Sequence, residues 1–303
     1  MSRPASRAWF ALVVLALIWS YNWIVMKQAM VHAGPFSFSA LRYTLGTGVL
    51  FALLAARGES LRPPPLLQTA LIGVAQTTGF QALVQWALVD GGAGKTALLA
   101  YTMPFWAVLL AWWLLADRPA GRHWAGLAVA AAGLLLVLEP WHGVGSVRSA
   151  WLAVGGGLFW AIGVVLSKRL FARGGVGALS LTAWQMAFGS AGLILIALLA
   201  DERTFDWSGR FVAILTYNAV LASGLAWLLW SYIVEHLPTQ VAGMTSLVIP
   251  VLGIGFAWWL LGERPDAAES AGIVLICLAL LVINRRAGAS RRADPAGGGD
   301  QPR

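Results

Sequence analysis

The residues able to bind a small polar molecule are uncharged or aromatic, and they sit deep inside apolar runs. Between Trp9 and Met30 lie Ser20, Tyr21 and Asn22, flanked by Trp19 and Trp23. The Asn22 amide offers two donors and an acceptor, which suits the amino and carboxyl groups of an amino acid. Thr78, Gln81 and Gln85 follow at i, i+3 and i+7, a spacing that puts all three on one face of a helix. Trp160, Trp184 and Trp227 are set deep in their runs like Trp19, and Tyr101 stands three residues before Pro104. Such rings stack on a flat side chain, shape an apolar cavity, or simply fill a core. Thr245 and Ser246 precede Pro250, where their hydroxyls either touch a substrate or re-satisfy carbonyls that the proline leaves free. Polar groups in an apolar medium are costly unless paired or facing water, so each is a binding candidate, with interhelical hydrogen bonding as the plain alternative.

Other chemistries lack their residues. All thirteen acidic side chains fall at the ends of apolar runs, in loops or in the tail. No midspan carboxylate is therefore available as a proton carrier, and downhill facilitated movement is the simpler expectation. His32, His123, His142 and His236 are isolated, and Cys277 is the single cysteine, so neither a disulfide nor a metal cluster is expected. No cofactor is expected either. Gly91-Gly92-Ala93-Gly94-Lys95-Thr96 lacks the spacing of a nucleotide-binding loop and reads as a helix start. A membrane-embedded lipid enzyme would need clustered carboxylates, histidines or metal ligands near an interface, so an enzyme is not expected.

The elements that hold these residues follow from composition. The chain is 59% hydrophobic and 11% charged, with a mean hydropathy of +0.72, where a soluble domain carries about a quarter charged residues. Ten apolar runs approach the length needed to cross a bilayer: 9–30, 36–56, 66–89, 95–116, 122–139, 150–172, 178–200, 210–234, 239–261 and 267–284. In lipid they must be helices, since each backbone amide has to find its partner within its own segment. The first run has no small-residue cleavage site and reads as a retained span. With the N-terminus inside, fourteen basic residues fall on inner segments and six on outer ones. That bias favours both termini in the cytoplasm. The net charge of +8 is spread over the ends of apolar runs, so it reads as topology and not as a nucleic-acid surface. Arg42 alone lies within a span, shallow enough to reach the outer surface, with steering of a carboxylate as its other reading.

The chain repeats itself. Residues 111–119 read Ala-Trp-Trp-Leu-Leu-Ala-Asp-Arg-Pro and residues 257–265 read Ala-Trp-Trp-Leu-Leu-Gly-Glu-Arg-Pro, 146 residues apart. Pro104 and Pro250 share that offset, and Trp19 and Trp160 are 141 apart. Five spans per copy is an odd number, so the second copy enters the membrane from the opposite face. The expected fold is an all-α polytopic membrane protein of ten transmembrane helices, arranged as two inverted five-helix repeats at 8–139 and 150–286. A disordered cytoplasmic tail at 287–303 follows. Secondary transporters use this plan, with the substrate near the midplane between the halves. Pro104 and Pro250, each removing one amide and freeing a carbonyl four residues earlier, are the expected hinges. The two tryptophan motifs read as interfacial anchors whose acidic-Arg pairs cap their own helix ends.

Leu17-Ile18-Trp19-Ser20-Tyr21-Asn22-Trp23-Ile24-Val25-Met26-Lys27, Gly34-Pro35 before Ala40-Leu41-Arg42-Tyr43, and the two mid-run prolines with acidic-Arg-Pro endings together carry a resemblance. The chain resembles the EamA-type members of the drug/metabolite transporter superfamily over about residues 8–286. Its tryptophan-rich central helices look most like the YddG-type aromatic amino-acid exporters. The resemblance implies a multi-pass exporter in the bacterial inner membrane, carrying amino acids or related metabolites. Its partners would be the lipid bilayer and a small molecule, with a monomer sufficient. A carrier of drugs or other metabolites is the alternative within the same superfamily.

Overall fold

Lipid leaves a backbone amide no partner but a carbonyl in its own helix, and the computed structural model follows that constraint. It describes residues 3–115, 121–138, 144–202, 204–236 and 239–284, which form helices and short connections without a strand. The tail expected at 287–303 and the Asp117-Arg118-Pro119 ending of the first tryptophan motif lie outside these residues. The helices are α1 (Arg3–Ala29), α2 (Pro35–Ala56), α3 (Leu66–Gly73), α4 (Phe80–Asp90), α5 (Ala93–Ala100), α6 (Met103–Leu115) and α7 (Gly121–Leu138), then α8 (Val144–Ala172), α9 (Ala178–Leu199), α10 (Gly209–Thr216), α11 (Ala226–His236), α12 (Thr239–Leu261) and α13 (Ala267–Asn284). Extended glycines start several of them, and Gly34 before Pro35 is one such start. Gly262 ends α12 at φ +70°, the left-handed turn that glycine adopts without strain.

Six helical stretches are long and apolar enough to cross a membrane: Phe10–Ala29, Pro35–Ala56, Ala93–Leu114, Val147–Ala172, Ala178–Leu199 and Gly209–Ile233. Trp124–Val137, Ile249–Leu261 and Ala267–Ala279 are shorter apolar stretches. The run at 66–90 is not among them, because Gln76, Thr77, Thr78, Gln81 and Gln85 make it polar. This is a polytopic helical membrane protein.

Two departures from regular helix stand out. A π-helical turn, Val74–Gly79, joins α3 to α4. A second, Tyr217–Leu225, joins α10 to α11. Their starts are 143 residues apart, within the offsets of the sequence repeat. Such turns are rare and concentrate at functional positions.

The two prolines behave differently. The run holding Pro104 is interrupted: α5 ends at Ala100, Tyr101 and Thr102 form a turn, and α6 begins at Met103. The Thr102 hydroxyl and amide both bond the Leu99 carbonyl, at 2.7 and 3.1 Å. Pro250 lies inside the continuous α12.

Packing runs mostly between the two parts of the chain. α7 packs on α13, α2 on α9, α4 on α8, and α1 on α12. Glycines bring some of these backbones into contact. A Cβ on Gly73 would stand 2.3 Å from the Gln185 carbonyl oxygen, and one on Gly189 would stand 2.6 Å from that of Gly73. Gly133 and Gly272 make the same reciprocal approach between α7 and α13. Close backbone approach through small residues replaces the hydrophobic effect, which lipid does not supply between helices.

Candidate substrate site

The second π turn, the start of α4 just after the first, and the α5–α6 break meet at one pocket. Trp19, Asn22, Trp23 and Met26 of α1 form one wall, with Arg42 and Tyr43 of α2 beside them. Phe80, Gln81 and Val84 of α4 and Tyr101 of the break close another side. Trp160 of α8, Ala222 of the second π turn and Trp227 of α11 complete it from the later part of the chain. The space between them is about 30 Å³, room for one or two waters. The pocket is therefore narrow, smaller than an amino acid.

Its apolar part is a ring cluster. Trp160 stacks on Phe80 at 5.0 Å between centroids and meets Trp19, Tyr101, Trp227 and Trp230 edge-on or tilted at 5.1–6.3 Å. Trp19 donates its indole N–H to the Ala222 carbonyl at 3.1 Å, a group in the second π turn. Trp227 donates to the Tyr43 hydroxyl at 2.8 Å. Gly157 of α8 makes room for the break, since a Cβ there would meet the Ala100 carbonyl at 2.8 Å.

Arg42 departs from the expectation that it reaches the surface. It is 1% exposed and turned inward, donating to Gln81 Oε1 at 2.5 Å and to Asn218 Oδ1 at 3.3 Å. Its guanidinium lies 4.7 Å from the centre of the Tyr43 ring and 5.6 Å from that of Phe38. Depth along the helix gave no information on the direction the side chain faces.

Of the sequence candidates, Trp19, Asn22, Gln81, Tyr101, Trp160 and Trp227 meet at this pocket. Thr78 turns to the Gly189 carbonyl of α9 at 2.8 Å. Gln85 is buried and donates to the Met30 sulfur at 3.4 Å. Tyr21 is 40% exposed and packs edge-on against Tyr217 and Phe256. Trp184 packs on Phe51 and Phe188. Ser20 bonds the Ala16 and Ile249 carbonyls at 2.6 and 3.2 Å, the second of them next to Pro250. The Thr245 and Ser246 side chains lie outside the described ones. Asn218, Tyr43 and Phe80 were not among the candidates. Asn218 had a signal, being an amide inside the apolar run 210–234.

The two ends of the molecule differ. At the end where α2 and α5 begin, carboxylates from the later part of the chain cap helices of the earlier part. Glu202 accepts from the Phe36 and Ser37 amides at 2.9 and 2.7 Å. Glu263 accepts from Ala93 and Gly94 at 2.8 and 3.1 Å. The second tryptophan motif thus caps α5 and not its own helix, because helix N-termini attract anions. Lys95 pairs with Glu269 at 2.6 Å, and His32 with Asp206 at 2.8 Å. At the other end a narrow cleft has a polar side of Gln76, Ser167, Gln185 and Ser231 and an apolar side that includes Val164, Phe171 and Trp230. Trp230 packs on Trp19 and Trp160 and so separates the cleft from the pocket.

A helical membrane bundle enclosing a small polar and aromatic pocket defines a carrier of a small molecule. The chain belongs to the EamA-like transporter family, whose model matches residues 6–139 and again residues 147–285. It is a multi-pass membrane transporter, not an enzyme. Relatives similar over nearly full length include an uncharacterized transporter, YoaV, of Bacillus subtilis (24% identity, 89% of this chain and 94% of the relative). A probable amino-acid metabolite efflux pump of Salmonella typhimurium is 25% identical, over 90% and 93%. A probable terminal-alkyne amino-acid exporter of Streptantibioticus cattleyicolor is 26% identical, over 95% and 96%. A solved crystal structure shares the fold, with a TM-score of 0.67 and 24% identity over 91% of this chain and 96% of that one.

Proposed function

We propose that this carrier exports amino acids, with apolar and aromatic side chains preferred, by alternating access between two inverted five-helix halves. The observation that carries the reading is the pocket itself. Both halves build it, and it pairs an aromatic cluster with Asn22, Gln81 and Arg42. The double family match, the 143-residue offset between π turns and the packing across halves support the inverted arrangement. The names of two relatives support amino-acid cargo.

The bias of basic residues supports both termini in the cytoplasm. The capped end then faces outward and the cleft faces the cytoplasm, so cargo enters past Trp230 and leaves when the caps release. The break at Tyr101-Thr102 before Pro104 is the hinge, and Pro250 moves with its intact helix. Without a midspan carboxylate among the described residues, transport is facilitated.

Counterflow of radiolabelled amino acids in proteoliposomes tests the function. Aromatic and large apolar amino acids are expected to exchange faster than charged ones. Trp160→Ala and Asn22→Ala, checked for folding by size-exclusion chromatography, are expected to lose most of this exchange. Exchange no greater than in empty liposomes for all twenty amino acids would overturn the reading. Uphill accumulation driven by a pH gradient alone would overturn facilitated transport while leaving the cargo in place.

A further inference from the structure

Arg42 is the single charged side chain lining the pocket, and nothing within the described residues neutralises it. Its hydrogen-bond partners, the Gln81 and Asn218 carbonyl oxygens, are uncharged. The nearest rings, Tyr43 and Phe38, contribute only quadrupoles. Among the described residues no carboxylate lies within ion-pairing distance. The Arg42 Nε, 1% exposed with the rest of its side chain, has no acceptor. Two further atoms of the pocket wall are buried and unpaired, the Asn22 Oδ1 and the Trp160 indole N–H. A guanidinium keeps its charge, and a buried charge without a counter-ion is strongly unfavourable. An ionisable group in such a place marks a binding or transport site by default.

We propose that the pocket is an organic-anion site in which Arg42 takes the carboxylate of the cargo. The Arg42 Nε and a terminal nitrogen form the planar fork that a carboxylate matches. Trp19, Trp160 and Trp227 take the apolar part of the cargo, and Asn22 Oδ1 accepts from its amino group. Transport of the bound anion rests on the export reading; its binding at Arg42 does not. Molecules that lack the carboxylate are excluded, however well their side chains fit, because they leave the buried cation unpaired.

Three probes that share a benzyl group test this in the full chain purified in detergent: L-phenylalanine, phenylacetate and phenethylamine. Each is titrated against the midpoint of thermal unfolding, in gluconate and in chloride buffers. Phenylalanine and phenylacetate are expected to raise the midpoint with saturation, and phenethylamine is not. Arg42→Gln is expected to weaken phenylacetate binding at least about tenfold, and Arg42→Lys to retain part of it. Equal stabilisation by phenethylamine and phenylacetate overturns the proposal, as does unchanged phenylacetate affinity in Arg42→Gln. Chloride that abolishes the phenylacetate response at moderate concentration also overturns it, because the site would then be an inorganic-anion site. Should Arg42→Gln fail to fold, the comparison of the three probes on the unaltered chain still decides. Phenylacetate binding without amino-acid counterflow would sink the export reading and leave the anion site standing. Amino-acid counterflow inhibited equally by phenethylamine and phenylacetate would do the reverse.

Discussion

At the scale of single residues, Trp160 carries the most. Its ring touches five others, so Trp160→Ala removes a shared wall and leaves a void that its neighbours can only partly fill. Truncations of this size in close-packed interiors cost about 3–5 kcal/mol, and a clear drop in the thermal midpoint is expected alongside the lost exchange. Trp227→Phe is a milder change. It keeps a ring but removes the bond to the Tyr43 hydroxyl, with a net cost of about 0.5–1.5 kcal/mol. The expected result is a KM for counterflow raised several-fold with the fold intact, since Tyr43 stands against Arg42. Trp19, Asn22 and Trp160 were legible in the sequence because depth and residue type suffice to nominate them. The inward turn of Arg42 was not, because it is set by Gln81 and Asn218, 39 and 176 residues away.

At the scale of elements, the polar stripe of the third run shows what periodicity misses. A regular α-helix would present Thr78, Gln81 and Gln85 together. The π turn ends just after Thr78, at Gly79, so Thr78 and the two glutamines do not share one regular α-helix. Thr78 therefore faces α9 while Gln81 faces the pocket. The matched prolines diverge for a similar reason. Near Pro104 the Thr102 hydroxyl ties back to Leu99 and stabilises a turn, whereas Ser20 of α1 bonds the Ile249 carbonyl in the middle of the intact α12. Thr102 and Leu99 lie in the local sequence before Pro104, whereas Ser20 is 229 residues from Ile249 and is not visible around Pro250. The glycine contacts give a direct test. Gly189→Leu forces α9 away from α3, since even a Cβ would meet Thr77 and the Gly73 carbonyl. Gly48→Ala adds a methyl where nothing lies within 4 Å. The first is expected to lower the thermal midpoint markedly, the second to leave it unchanged or to raise it slightly through helix propensity.

At the scale of the molecule, the caps fasten one end of the bundle by joining the later part of the chain to the earlier part. Helix-capping carboxylates contribute about 0.5–2 kcal/mol each, enough to bias the alternating access proposed above toward one closed side. Replacing Glu202 and Glu263 together by glutamine is expected to favour the outward-open state. In a Cys277→Ser background, a cysteine placed at Ile254, which lines the cavity of about 270 Å³ beside the Glu263 cap, should then react faster with a membrane-impermeant maleimide. No change in labelling rate would show that the caps do not hold the gate. The repeat could be read from offsets, and the family model matches each copy; the fastening could not, because it joins positions far apart in the chain. Its receiving groups are backbone amides at Phe36, Ser37, Ala93 and Gly94, which every residue except proline supplies. Among related sequences the acid at position 202 or 263 should therefore be retained without a co-varying partner. Coupling methods built on paired side-chain changes would pass over this contact, and proline would be the residue absent from positions 36, 37, 93 and 94.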